Sequence, residues 1–182
     1  ALSASVAIAA ILLVSADSQG PLVVWIGGWP EPLGISLVAD RLSALMLLVS
    51  ATVTLAVLVY SLGQGLADGT RDTPLSIYHP TYLVLSAGVA NAFLAGDLFN
   101  LFVGFEVLLA ASYVLLTLTG TDERIRAGST YVVVSLLSSL LFLTAIALVY
   151  AATGTVNLAQ LCGRLADLPD GVSLILQLLL LT

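Results

Sequence analysis

Charge is what this sequence has least of. Lysine does not occur, and five arginines (Arg41, Arg71, Arg124, Arg126 and Arg164) face eleven acidic residues, for a net charge of -6. With no cationic surplus to neutralise phosphates, nucleic acid is excluded as a partner. Only 9% of the residues are charged, against about 25% in an ordinary soluble domain. That excludes a water-soluble globule.

One histidine, His79, and one cysteine, Cys162, are present. They supply no metal cluster, no internal disulfide and no Ser/His/Asp or Cys/His constellation. No glycine-rich phosphate loop follows a strand. Metal, cofactor and hydrolytic chemistry are therefore unsupported, and the chain does not read as an enzyme. Cys162 reads as a small buried hydrophobe.

What is present is apolar: 59% of the 182 residues are hydrophobic, gathered into long uncharged runs. A bilayer core of about 30 Å needs roughly 20 such residues per helix. The expected fold is all-α: a polytopic transmembrane helix bundle in one membrane domain, with about five full spans and truncated helices at both ends.

The first run, residues 1–15, lacks a basic flank and is short for a span, so it reads as a transmembrane helix whose beginning lies outside the chain. Residues 22–26 are followed by Gly27, Gly28, Trp29, Pro30, Glu31, Pro32 and Gly34, a turn-rich segment read as an interfacial loop or short hairpin. Trp25 and Trp29 mark the membrane boundary there.

A helix is expected over 36–62, its uncharged part starting after Asp40 and Arg41, which predict an interfacial ion pair or a cap. Residues 81–118 are too long for one span and break best at Gly96 and Asp97, giving helices 81–95 and 98–118. A charged loop over 121–126 precedes a helix over 129–151. Residues 157–168 read as an interfacial amphipathic helix, with Asn157 and Gln160 as a capping box and Leu158, Leu161, Leu165 and Leu168 on one face. A truncated helix occupies 172–182.

Glu106 is the informative residue. It is the sole ionisable carboxylate of the run 98–118, about 12 Å from one end at 1.5 Å per residue. A carboxylate at that depth must be protonated, paired with a cation, or hydrated inside a bundle, and each state couples it to protons or ions. The alternative is a packing glutamate that bonds a neighbouring hydroxyl and never titrates.

Phe99, Phe102, Val103, Ala110 and Tyr113 share its face, with Tyr113 either a relay or a packed aromatic. In the next helix Tyr131, Ser135, Ser138 and Ser139 form a narrow polar stripe that either lines water or bonds backbone carbonyls. Asn91 interrupts the third span, and Asp97 is a helix cap or an outer proton acceptor, with capping favoured. His79, next to Pro80, either hands protons inward from one surface or is incidental.

Residues 27–40 (GGWPEPLGISLVAD), 41–46 (RLSALM) and above all 96–116 (GDLFNLFVGFEVLLAASYVLL), with 154–161 (GTVNLAQL) in support, resemble the antiporter-like membrane subunits. Within that superfamily, shared with the proton-pumping subunits of respiratory complex I, the sequence is most similar to the D subunits of Mrp-type multisubunit sodium/proton antiporters. The resemblance implies a protein of about fourteen helices, of which this piece would run from the second into the seventh. It puts the loops 63–78 and 120–128 on the cytoplasmic side, a point on which the arginines weigh little.

The same resemblance makes Glu106 the family's glutamate on the fifth helix, which pairs with a lysine on the seventh in a charge switch along the proton path. That lysine would fall a few residues beyond Thr182. A multi-pass protein of a prokaryotic cell membrane follows, without a cofactor, exchanging sodium for protons in company with other antiporter subunits. Two other functions compete: a proton-pumping subunit of a complex I-like quinone oxidoreductase or related hydrogenase, and a structural scaffold whose glutamate docks helices.

Overall fold

The computed structural model describes residues 1–29, 34–63, 75–118 and 120–181. Helix α1 (Leu2–Gln19) leads into an antiparallel hairpin of β1 (Leu22–Trp25) and β2 (Ser36–Ala39), in which Leu22 faces Ala39 and Trp25 faces Ser36. Then follow α2 (Arg41–Gly63), α3 (Leu75–Leu94), α4 (Leu98–Thr117), α5 (Asp122–Thr153), α6 (Leu158–Ala166) and α7 (Asp170–Leu181). Pro30, Glu31 and Pro32 of the turn-rich segment, most of the loop 63–78, and Thr182 lie outside the described residues.

Helices α1, α2, α4 and α5 are long and apolar enough to cross a membrane. Helix α3, expected as a further span, is as long as α4 at 20 residues but is diluted by His79, Pro80 and Asn91. The chain is an all-α, polytopic transmembrane bundle. Its outer surface is apolar: Val133, Leu137, Leu140 and Leu141 of α5 are each at least 60% exposed. A bilayer accepts such a surface, because lipid tails are as apolar as leucine while helical backbone satisfies its own polar groups.

Three helix starts differ from the sequence expectation. Residues 36–39 are not helical, because Ser36–Ala39 pairs with β1; the helix begins at Arg41, where the Asp40 carboxylate accepts from the Ser43 amide at 2.7 Å. The acid is thus the cap, while Arg41 pairs with Asp17, Nε to Oδ1 at 2.9 Å. The third helix starts at Leu75 and absorbs Pro80, whose missing N–H costs a single backbone bond so near the helix start. The charged stretch 122–126, expected as a loop, forms the first turns of α5. Thr121 Oγ1 accepts from the Arg124 amide at 3.4 Å, and Asp122 and Glu123 sit at the positive end of the helix dipole.

Helices α3 and α4 form a tight antiparallel pair. A Cβ on Gly88 would lie 2.8 Å from the backbone nitrogen of Leu108, and one on Gly104 would lie 3.0 Å from that of Ala92. These two glycines let the backbones approach directly, as small residues do in membranes.

Leu98, Ile146, Val149, Leu161 and Leu176 make a buried core where α4, α5, α6 and α7 meet, with Phe102, Phe142, Leu165 and Leu168 against it. Two features of α6 differ from expectation. Leu158 leaves the apolar face and is 39% exposed, and Cys162 is exposed instead of buried. The exposure of Cys162 follows from helix phase: Leu161 and Leu165 pack at the core, which turns the neighbouring Cys162 outward.

Candidate functional site

The bundle carries one polar centre at the start of α4 and another further along that helix. The first is the turn between α3 and α4. The expected break at Gly96 and Asp97 is found there, and Asp97 caps α4 by accepting from the Asn100 amide at 2.7 Å. Its other carboxylate oxygen accepts from the Ser36 amide of β2 at 3.3 Å.

Asn157 Nδ2 donates to Ser36 Oγ at 3.3 Å, while Asn157 Oδ1 caps α6 by accepting from the amides of Ala159 and Gln160. Backbone bonds close the same knot: Leu98 N–H reaches Val156 O at 2.9 Å, and Leu158 N–H reaches Gly96 O at 3.0 Å. Ser36 is 1% exposed and Asp97 3%. Buried polar groups so placed must be paired, and here the pairing ties hairpin, turn and α6 together.

Asn91 belongs to this centre through α3. Its Nδ2 donates to Asn100 Oδ1 at 3.1 Å, and Asn100 Nδ2 returns a bond to Asn91 Oδ1 at 3.3 Å.

The second centre lies between α4 and α5. Glu106 follows Leu98 by eight positions, about 12 Å along the axis at 1.5 Å per residue. It is half-buried and turned toward α5, where Ser139 Oγ donates to Glu106 Oε1. Beside this contact is a cavity of about 250 Å³, whose polar lining is Glu106, Tyr113, Tyr131, Ser135 and Ser139.

The two ends of this cavity differ. Toward the start of α4, Phe142 packs on Phe102 and Phe105 with ring centroids 6.3 Å apart in both pairs, and behind it lies the apolar core. Toward the α4–α5 connection stand Tyr113 and Tyr131, and the Tyr131 hydroxyl meets Ser112 Oγ at 2.8 Å.

The structure therefore brings Glu106, Tyr113, Ser135 and Ser139 to one cavity. Ser138 is exposed and bonds Val134 O of its own helix at 3.0 Å. Asn91 and Asp97 lie in the turn centre. His79 sits on α3 against Tyr78, ring centroids 5.3 Å apart, beside a different cavity lined by Leu55, Leu58 and Tyr82. The sequence stripe does not by itself reveal the link from Tyr131 to Ser112. Its signal is the spacing of Tyr131, Ser135 and Ser139, which puts three hydroxyls on one face of α5.

The fold defines the class: a multi-pass helical membrane protein. Residues 95–182 match the family described as NADH:quinone oxidoreductase/Mrp antiporter, TM, and residues 25–63 match NADH-Ubiquinone oxidoreductase (complex I), chain 5 N-terminus.

A probable K(+)/H(+) antiporter D subunit of Rhizobium meliloti (strain 1021) is 46% identical over 149 residues, covering 82% of this chain and 26% of the relative. The Mrp complex of Dietzia sp. DQ12-45-1b contains a chain that superposes with a TM-score of 0.84 at 32% identity, over 99% of this chain and 33% of that one. A chain of the membrane-bound sulfane sulfur reductase, an archaeal respiratory membrane complex, superposes with a TM-score of 0.87 at 30% identity, over 98% and 36%.

The chain belongs to the D-subunit family of Mrp/Mnh antiporters, which is related to the proton-pumping subunits of complex I. It is a multi-pass protein of the prokaryotic plasma-membrane type. It spans about a quarter to a third of the length of the relatives it matches.

Proposed function

We propose that this chain is part of a subunit of a multisubunit antiporter that exchanges sodium for protons, and that Glu106 is the group that takes up and releases the proton. The observation that carries this reading is the Glu106 carboxylate, eight residues inside an apolar helix, set on a hydroxyl-lined cavity and bonded to Ser139. A carboxylate held there is costly unless it exchanges its proton or finds a counter-charge.

By the family resemblance, a lysine on the seventh helix supplies that cation, and its approach or withdrawal sets how firmly Glu106 holds its proton. No covalent chemistry and no cofactor enter this cycle. The partners are the other antiporter subunits, the bilayer, protons and sodium. Potassium is the competing cation, since it stands in the name of the Rhizobium relative.

Sodium/proton exchange in vesicles tests the reading. Glu106→Gln abolishes exchange while the complex still assembles; full exchange in that variant overturns it. Parallel assays with sodium and potassium decide the cation.

The likeness to a chain of the archaeal respiratory complex favours a second reading, a proton-translocating subunit powered by electron transfer. Copurification with flavin and iron–sulfur subunits selects it. A purely structural glutamate is distinguished by Glu106→Gln impairing assembly rather than transport.

A further inference from the structure

The cavity beside Glu106 has one dry end and one polar end, and that asymmetry assigns a direction of access. At the dry end Phe102, Phe105 and Phe142 pack together, and Phe102 and Phe142 also pack against the buried core of Leu98, Ile146 and Val149. Among the described residues, those that pack at this end offer water or a proton only aromatic and aliphatic side chains. From Glu106 toward the α4–α5 connection, α5 instead presents Ser139, Ser135 and Tyr131, all lining the cavity. Each hydroxyl stands four positions from the next, about 6 Å along the axis at 1.5 Å per residue. The cavity, about 250 Å³ in volume, has room for several waters at about 30 Å³ each.

At the end of this row Tyr131 reaches across to α4. Ser112 has one hydroxyl proton, and its Oγ is 2.8 Å from Leu109 O, an acceptor of its own helix. With that proton engaged, Tyr131 O–H is the donor in the 2.8 Å contact with Ser112 Oγ. The bond therefore joins the two helices at the polar end of the cavity.

We propose that Tyr131 is a positioning residue that controls access to Glu106 from the side of the α4–α5 connection, its hydrogen bond to Ser112 being the closed state of that entrance. The proposal rests on reading Glu106 as the proton-exchanging group. A bond between neutral hydroxyls contributes little net stability, so swinging the phenol aside is thermally accessible. Doing so opens Ser135 and then Ser139 to water, while the phenylalanine cluster keeps the far end shut. Alternation of access then needs a second movement elsewhere to connect Glu106 to the opposite surface.

Thiol accessibility in the full-length, assembled complex tests this. The exposed native thiol is removed by Cys162→Ser, other cysteines of the complex are replaced, and Ser135→Cys is introduced. A separate Thr121→Cys variant marks the side on which the α4–α5 connection lies. A membrane-impermeant thiol reagent is applied to vesicles of each orientation.

Ser135→Cys reacts from the Thr121 side alone, and either Tyr131→Phe or Ser112→Ala raises its labelling rate roughly tenfold, the loss of about one hydrogen bond. Either variant suffices if the other fails to assemble. Labelling from the opposite side, equal labelling from both sides, no labelling at all, or rates unmoved by both variants overturns the proposal. Labelling does not require that Glu106 carry protons, so failure here is distinct from failure of the functional reading, which the exchange assay on Glu106→Gln decides.

Discussion

Ser139 Oγ on α5 donates a hydrogen bond to Glu106 Oε1 on α4, so the carboxylate inside the apolar bundle is held by the neighbouring helix. Hydrogen bonds to charged groups contribute about 1.5–3 kcal/mol. Ser139→Ala slows exchange severalfold, whereas Ser139→Thr, which retains the hydroxyl, keeps most of it. Initial rates of cation-driven proton movement in vesicles measure both.

Asp97 is a cap and a tie, and its substitutions separate that role from proton transfer. Asp97→Ala strips an acceptor from the amides of Asn100 and Ser36, and loss of an N-cap alone costs about 0.5–2 kcal/mol. The complex therefore loses thermal stability in detergent. Asp97→Asn keeps an oxygen for one of these amides and retains both stability and exchange in large part. Thermal unfolding together with vesicle transport checks the pair, and loss of exchange in a stable Asp97→Asn complex contradicts capping as the main role.

The close approach of α3 and α4 leaves no room for a methyl group at Gly88, where a Cβ would stand 2.8 Å from the Leu108 nitrogen. Gly88→Ala lowers stability by about 1–3 kcal/mol, the usual cost of overpacking. Gly63→Ala, where none of the described residues lies within 4 Å, is tolerated. Melting temperatures of the two variants measured side by side give the comparison.

His79 lines a different cavity from Glu106 and packs against Tyr78. His79→Gln leaves the exchange rate and its pH profile within experimental scatter. A loss of exchange as complete as that of Glu106→Gln places the histidine on the proton route after all.

The helices were legible because each long uncharged run can hide its backbone only in a helix, and Gly96 with Asp97 announced both the break and the cap. Glu106 stood out because it is the sole carboxylate of its run. Pairing was less legible. The strand Ser36–Ala39 is only four residues long and alternates weakly, so its partnership with Leu22–Trp25 was not written locally. The charged start of α5 resembled a loop, although acids in a first turn favour the helix dipole.

Contacts across helices were least legible of all. That Asn91 meets Asn100, that Tyr131 meets Ser112, and that Ser138 turns outward while Ser139 turns inward depend on the rotation of one helix against another. A sequence stripe narrows that rotation without fixing it. Cys162 is the same lesson on α6, where a shift of one position along the helix separates the buried Leu161 from an exposed thiol.

Under the proposed function, the Glu106 carboxyl exchanges its proton in place. Infrared difference spectroscopy of the membrane-embedded complex, recorded across the pH range in which it transports, observes that group directly. A protonated-carboxyl band is expected that grows on acidification and is missing from the Glu106→Gln variant. A spectrum in which no band titrates, or in which the titrating band survives Glu106→Gln unchanged, contradicts the proposed function.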